Sequence, residues 1–227
     1  MENNTNETPN YGGGKGDYVS IDEFILLIST ACNNANHPEI EPLLTKRGYT
    51  PAKIAAIPPK VSNLEALNQK QKKEYSEQYD ATENYIRDWK LLNNTYAEHV
   101  ELARILFEND TNNYVQLGLI GKRKDSFSGY IQQAKLFYAN ALKDQNVIDQ
   151  LATKGITKQE LDDTAAIITK VEEEKYKQTK ETGEARQATK DRDAVYDELA
   201  KWYSEFKRTA LIALSNKPQL GVILGFK

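Results

Sequence analysis

The chain has 227 residues, of which 39% are hydrophobic and 28% charged, and its mean hydropathy is -0.69. Its 30 basic and 33 acidic residues are interleaved and leave a net charge of -3, which argues against a general nucleic-acid-binding protein. No apolar run approaches the ~20 residues that a membrane-spanning helix needs. Residues 1–18 lack the apolar stretch of a signal peptide. We therefore expect a cytoplasmic protein without membrane contact and with a disordered tail at 1–18.

The first predicted helix begins at Ser20 and extends to about Asn34. A hydroxyl at Ser20 and a carboxylate three residues later, at Glu23, form the capping-box pattern of a helix start. A short helix follows His37 and ends before Gly48, since glycine readily takes the left-handed conformation after a helix.

The first long helix is predicted to begin at Thr50 and Pro51, because proline is well tolerated at the first helical position. Pro58 and Pro59 should break or kink it. Ser62 then restarts it in our prediction, since Ser62 and Glu65 form another capping box. The second long helix begins after Thr157, which is followed by a carboxylate at Glu160.

The sequence contains a duplication, in which residues 40–120 resemble residues 147–227 at a constant offset of 107 positions. Identical pairs include Gly48 with Gly155, Thr50 with Thr157, Tyr96 with Tyr203, and Gly118 with Gly225. Short helices at 20–34 and 126–143 are expected to be equivalent at the same offset. We predict an all-α protein of two tandem pseudo-symmetric helical repeats, at 19–121 and 127–227, joined by a basic linker at 122–126.

Each repeat carries one long coiled-coil-like helix with a seam, defined here as its positions spaced alternately three and four residues apart. The seam is apolar at both ends and polar or small in its middle. The central positions are Asn68, Gln71 and Gln78 in the first copy and Lys175, Gln178 and Thr182 in the second. Polar seam residues can fix register and partner number in a coiled coil, but a long helix that projects into solvent has the same pattern. Both interpretations stay open.

Residues with catalytic chemistry are few. Neither His37 nor His99 has a carboxylate three residues upstream, so the Glu-x-x-His pair of helical di-iron proteins is absent from the sequence. No two histidines or cysteines have zinc-ligand spacing, and Cys32 lies in an apolar run that favours a buried thiol. Residues 12–17 lack the glycine spacing and the Ser/Thr of a phosphate-binding loop. We predict no enzymatic activity, no cofactor and no metal.

Three groups of residues are candidate contact sites. The linker cations could hold an anion or an acidic partner, although a connector made soluble by charge is the simpler explanation. The apolar C-terminus is a candidate interaction segment, and four aromatic or imidazole side chains could line a cleft between the repeats. The groups are Lys122, Arg123 and Lys124; Leu220, Val222, Leu224 and Phe226; and Tyr96, His99, Trp202 and Tyr203.

The segments 97–107, 121–124 and 218–225 resemble an uncharacterised family of bacterial all-helical repeat proteins. The resemblance covers most of the chain beyond the tail and implies a helical repeat fold. That family has no assigned activity, so it implies no functional residues.

We expect a non-enzymatic structural or scaffolding protein that self-associates through its long helices into a homo-oligomer or larger assembly. The seam is longer than one short helix can cover, and the remainder must contact the other repeat, another chain or water. The alternative is a helical binding module for a peptide or small ligand in the cleft between the repeats.

Overall fold

A computed structural model describes residues 19–226, so the tail predicted at 1–18 lies outside the described part of the chain. The described residues form helices only, which confirms the all-α prediction. The helices are α1 (Ile21–Asn34), α2 (Glu41–Thr45), α3 (Pro51–Ala55), α4 (Pro58–Leu106), α5 (Thr111–Gln116), α6 (Phe127–Ala141), α7 (Gln145–Ala152), α8 (Lys158–Ala213) and α9 (Gln219–Ile223).

Hydroxyl caps begin the helices at the predicted places. Ser20 Oγ accepts a hydrogen bond from the N–H of Glu23 at 3.1 Å, and Thr157 Oγ1 accepts one from Glu160 at 3.2 Å. Thr50 caps α3 in the same way. These bonds satisfy amide groups that have no acceptor within the first turn of a helix.

The predicted restart of the first long helix at Ser62 is wrong. The helix α4 already begins at Pro58, and the carbonyl of Ile57 accepts the N–H of Val61 at 3.0 Å. Pro58 and Pro59 fit the first turn because the amide groups they lack would have no helical acceptor there. The two prolines therefore separate α3 from α4, and Ser62 is an exposed residue within α4.

Gly48 and Gly155 end the helices that precede the long ones. Their φ angles are 87° and 88°, a region that a side chain with a Cβ atom seldom adopts. In both turns the next residue donates its N–H to the carbonyl five positions back, from Tyr49 to Leu44 at 3.1 Å and from Ile156 to Leu151 at 3.2 Å. The backbone is thus the same at two positions that the duplication aligns.

The chain divides into two compact units. Of the described residues, unit 1 comprises 19–71 and 189–226, and unit 2 comprises Lys72–Ala188. Unit 1 contains α1 to α3, the first part of α4, the last part of α8, and α9. Unit 2 contains the remainder of α4, α5 to α7, and the first part of α8. The boundaries between the units therefore differ from those of the repeats predicted at 19–121 and 127–227. The boundaries of the repeats stay a prediction.

In unit 2, the segments of α4 and α8 run antiparallel. Lys170 Nζ lies 2.9 Å from Asp88 Oδ2, and Glu160 approaches His99 further along α4. From the first contact to the second, the residue number rises on α4 and falls on α8, which is the order expected for antiparallel helices. In unit 1, an ion pair joins Lys60 at the start of α4 to Glu198 near the end of α8.

The core of unit 1 forms where α1 crosses the last part of α8. The ring of Phe24 lies 4.7 Å from that of Tyr196 and 6.0 Å from that of Tyr203. Aliphatic residues of α2 to α4 and of the C-terminal segment complete this core: Ile40, Leu44, Ile54, Leu64, Leu220 and Leu224.

The core of unit 2 forms where α6 packs on the last part of α4. The ring of Tyr130 lies 4.9 Å from that of Trp89 and 5.3 Å from that of Tyr96. Residues of α7 and of the first part of α8 pack against the same cluster: Val147, Ile148, Leu151, Leu161, Ile168 and Val171.

Burial follows the duplication with one shift in register. From residue 40 onward, buried residues recur at the offset of 107, as in Leu44 and Leu151 or Leu92 and Leu199. In α1 and α6 they recur at 106 rather than the expected 107: Phe24 with Tyr130, Ile28 with Ala134, Ala31 with Phe137, and Ala35 with Ala141. The separation from Ala141 to Leu151 is one residue longer than that from Ala35 to Leu44, which accounts for the shift.

Among the described helices, none is both long enough and apolar enough to cross a membrane.

Candidate functional site

The basic linker is held in place through its backbone. Arg104 donates from Nε to the carbonyl of Leu119 at 3.1 Å and from Nη2 to the carbonyl of Gly121. The N–H of Lys124 donates to Gln133 Oε1 at 2.7 Å. Lys122 and Lys124 are exposed, whereas Arg123 is half-buried. Of the three predicted cations, two therefore remain open to a partner.

The C-terminal interaction segment is mostly core. Leu220, Leu224 and Phe226 are buried in unit 1, while Val222 is 71% exposed. The alternation follows from the position of α9, which packs one face on unit 1. Only Val222 of this predicted group presents its side chain to a partner.

The four predicted cleft residues lie in two different cores. Tyr96 and His99 are buried in unit 2, and burial raises the pKa of Tyr96 to about 12. In unit 1, Trp202 stacks on Phe206 with ring centroids 5.0 Å apart, and Tyr203 packs against α1. Each of the four contributes to the packing of its own unit.

His99 lies within a buried polar network in unit 2. Its Nδ1 is 3.0 Å from the hydroxyl oxygen of Tyr138, and its Nε2 is 3.4 Å from Glu160 Oε1. Burial lowers the pKa of His99, while the hydrogen bond to Glu160 acts in the opposite direction. Burial also raises the pKa of Tyr138. The imidazole is therefore neutral at neutral pH, and both of its nitrogen atoms have polar partners within the core.

An open groove of about 650 Å³ lies between α6 and α8 in unit 2. Its apolar lining comes from Phe127, Ile131 and Tyr176, and its charged lining comes from Glu172, Lys175 and Lys180. Glu172 is paired with Lys135 and Lys180 with Glu181 and Glu184, so Lys175 is the main cation of the groove. The ring of Phe127 lies 5.5 Å from that of Trp89, which connects the groove to the core. Aromatic and cationic side chains together suit a planar anionic ligand. The sequence analysis did not single out this groove, because its residues come from helices 40 positions apart.

An acidic cluster occurs in unit 2 where α4 and α8 pass each other. Glu74, Glu181 and Glu184 offer carboxylate oxygens that all lie within 4.8 Å of one another. Lys180 Nζ lies 3.2 Å from Glu181 and 3.0 Å from Glu184, and the pKa of Lys180 is raised chiefly by these hydrogen bonds. The arrangement is that of an ion-pair network. The only sequence signal for it is that Glu74 and Glu181 are identical residues at the repeat offset.

A line of large apolar side chains is left uncovered on α4 in unit 2. We call it the α4 stripe, and it consists of Tyr75, Tyr79 and Ile86. These side chains are 49%, 64% and 56% exposed, and their spacings of four and seven residues place them on one side of the helix. Tyr75 is a predicted seam position, but Tyr79 and Ile86 fall outside the seam and the sequence analysis missed them.

No known protein family, curated protein or solved structure matches this chain. The resemblance to uncharacterised bacterial helical proteins therefore stays a prediction.

Proposed function

We propose that this protein is a non-enzymatic structural or scaffolding protein that self-associates through its long helices. The observation that carries the proposal is the α4 stripe. It lies in the central part of a 49-residue helix, where the seam loses its buried apolar residues. An exposed hydrophobic residue alone needs no explanation, but three on one helix face form a surface that another helix can cover.

The surroundings of the α4 stripe resemble the rim of a protein interface. Lys72, Glu83 and Lys90 are exposed and lie along one side of the stripe. A polar rim around an apolar centre is the usual composition of a protein–protein contact. Burying apolar surface stabilises such a contact by roughly 25 cal/mol per Å². The apolar side chains of the stripe would therefore stabilise a contact with another helix, and the charged residues beside it would mark the edge of that contact.

The duplicated fold supports the role of a building element. Helix caps, glycine turns and buried positions recur between the copies, which favours two pseudo-symmetric repeats. The histidine does not recur, because Phe206 occupies the position equivalent to His99. A duplication that keeps packing positions and changes a rare titratable side chain fits a structural protein better than an enzyme.

Light scattering coupled to size-exclusion chromatography tests this proposal. The wild-type protein should exceed its monomer mass of 25.8 kDa, increasingly so at higher concentration. Replacing Tyr79 and Ile86 with Glu should lower the mass at every concentration, because charge is costly to bury in the contact. The matched control is Asp80→Lys, a charge reversal at an exposed position on another face of α4. A wild-type protein that stays monomeric at every concentration would refute self-association.

The groove between α6 and α8 favours a second candidate, a binding module for a small anionic aromatic ligand or an acidic peptide. This site lies within unit 2 rather than in the cleft predicted between the repeats. Its test uses the dye anilinonaphthalene sulfonate and the fluorescence of Trp89 in a Trp202→Phe background. Saturable quenching that Tyr176→Ala abolishes would support binding. Quenching that the substitution leaves unchanged would rule out the groove.

A further inference from the structure

Two exposed isoleucines occupy equivalent positions near the ends of the long helices. Ile105 on α4 is 62% exposed and Ile212 on α8 is 63% exposed, and they are separated by the repeat offset of 107. The residues two positions before them, Ala103 and Ala210, are both fully buried. Each isoleucine is thus directed outward by a helix whose opposite face is fixed in a core.

A second pair of exposed residues accompanies the isoleucines. Val115 on α5 and Val222 on α9 are 53% and 71% exposed and again lie 107 positions apart. Each short helix is held beside the end of its long helix. The hydrogen bond from Arg104 to Leu119 links the segment after α5 to α4, and Gly221 approaches Leu211 Cδ2 in unit 1. The two units therefore present corresponding apolar surfaces.

The two surfaces differ in charge. Segment 98–116, around Ile105, contains four acidic side chains and one basic one, whereas segment 205–223, around Ile212, contains three basic and one acidic. The reversal is sharpest one turn before each isoleucine, where Glu101 aligns with Arg208. Both of these side chains are exposed. We name the residues Glu101, Ile105, Glu108 and Val115 the acidic surface, and Arg208, Ile212 and Val222 the basic surface.

Other charged groups around the basic surface leave Arg208 as its main exposed cation. Lys217 is paired with Glu39 at 2.8 Å, and Lys207 lies over the ring of Phe226. Arg208 donates only to the carbonyl of Ser204 on its own helix among the contacts of the described residues. On the acidic surface, the basic residue Arg104 is occupied by backbone carbonyls. Glu205, the acidic residue of segment 205–223, is also exposed, so the complementarity of the two surfaces lies chiefly in Glu101 and Arg208.

We propose that the acidic surface of one copy of this chain docks on the basic surface of a second copy. The proposal rests on the self-association proposed above and names a second contact for it, separate from the α4 stripe. Pairing two acidic surfaces would set Glu101 and Glu108 against like charges, which is unfavourable. The pairing of unlike surfaces buries isoleucine and valine from both copies and places Glu101 opposite Arg208.

Such a contact is heterologous, because each copy uses a different surface. A heterologous contact continues from copy to copy unless its rotation closes a ring. Each chain carries one acidic and one basic surface, so every added copy provides a new docking position. The expected product is therefore a linear or ring-shaped assembly rather than a dimer.

Charge-reversed variants test the contact directly. Glu101→Arg gives a chain with arginine at both positions 101 and 208, and Arg208→Glu gives one with glutamate at both. Each variant alone should show a dissociation constant raised by roughly tenfold or more. An equimolar mixture should recover assembly, since each variant then meets a complementary surface. Light scattering gives the masses, circular dichroism confirms that helix content is unchanged, and Asp80→Lys serves as the control.

The outcomes separate this contact from self-association in general. If both reversed variants assemble like the wild type while the Tyr79 and Ile86 double variant has a lower mass, docking of the acidic surface on the basic surface is wrong and association through the α4 stripe stands. If the variants are weakened but their mixture does not recover, the pairing of Glu101 with Arg208 is wrong. A wild-type monomer at all concentrations refutes both proposals.

Discussion

The hydroxyl oxygen of Tyr138 lies 3.0 Å from Nδ1 of His99 in the core of unit 2. In unit 1 the position equivalent to His99 is Phe206, which is also fully buried and packs among aromatic rings. At positions 107 residues apart, the core of unit 2 thus contains a polar network and the core of unit 1 contains an apolar ring. The histidine has to remain neutral for its site to be favourable, because a buried charge is costly.

This relationship predicts how stability depends on pH. The pKa of His99 is lowered in the folded protein, so the unfolded chain binds a proton more readily below about pH 6.5. The free energy of unfolding should therefore fall as the pH is lowered from about 6.5 toward the folded-state pKa of His99. Urea denaturation of the wild type between pH 5 and pH 8 measures this slope.

His99→Phe provides the control for that slope, since Phe is the residue at the equivalent position of the other copy. It should flatten the dependence on pH in this range, because the titrating group is gone. His99→Ala should lower the free energy of unfolding by about 3 kcal/mol through the cavity that it leaves. An unchanged slope in His99→Phe would show that other groups cause the effect.

The buried thiol of Cys32 should be unreactive in the folded protein. Burial raises its pKa to about 11 from an ordinary value of 9.0, so the reactive thiolate is roughly a hundredfold scarcer. Labelling with dithionitrobenzoate at pH 8 should be slow in the native state and rapid in guanidinium. Labelling that is rapid and complete in the native state would contradict the burial of Cys32 in unit 1.

Local signals predicted the helices well, because each depends on a few neighbouring residues. A hydroxyl at Ser20 or Thr157 and a glycine at Gly48 act through bonds within one helical turn, and the structure has each in its expected role. The restart at Ser62 failed for a related reason. Two competing local signals were present, and the prolines decided the start of α4 without needing a second cap.

The candidate sites were harder to predict, since exposure depends on distant segments. Leu224 and Val222 are both apolar and nearly adjacent in sequence, yet only packing on unit 1 determines that Leu224 is buried. In the same way, periodicity assigned Tyr75 to the seam but could not show that no helix covers it. Glu101 and Arg208 differ in charge at positions that the duplication aligns, which the sequence alone shows. Only the structure shows that both side chains are exposed and so available to a partner.

The glycine turns predict a graded effect of substitution by alanine. Gly155→Ala places a side chain at φ 88° with open space around it, so it should cost roughly 1–2 kcal/mol of stability from backbone strain alone. Gly118→Ala has φ 66° and would also bring its Cβ to 2.9 Å from Leu136 Cδ2. Thermal unfolding should therefore show a larger loss for Gly118→Ala. Equal losses would mean that Leu136 moves aside freely.

The C-terminal segment gives a paired test of which side chains are structural. Leu224→Lys should strongly destabilise the protein, by about 3 kcal/mol or more, because it places a charge in the core of unit 1. Val222→Lys changes an exposed residue and should alter the free energy of unfolding by less than about 0.5 kcal/mol. A matched Val222→Glu variant should weaken assembly, since it removes apolar contact area from the basic surface and adds a charge of the same sign as Glu101 and Glu108. Denaturation and light scattering on the same samples separate the two effects. Strong destabilisation by Val222→Lys would show that α9 packs with its other face toward unit 1.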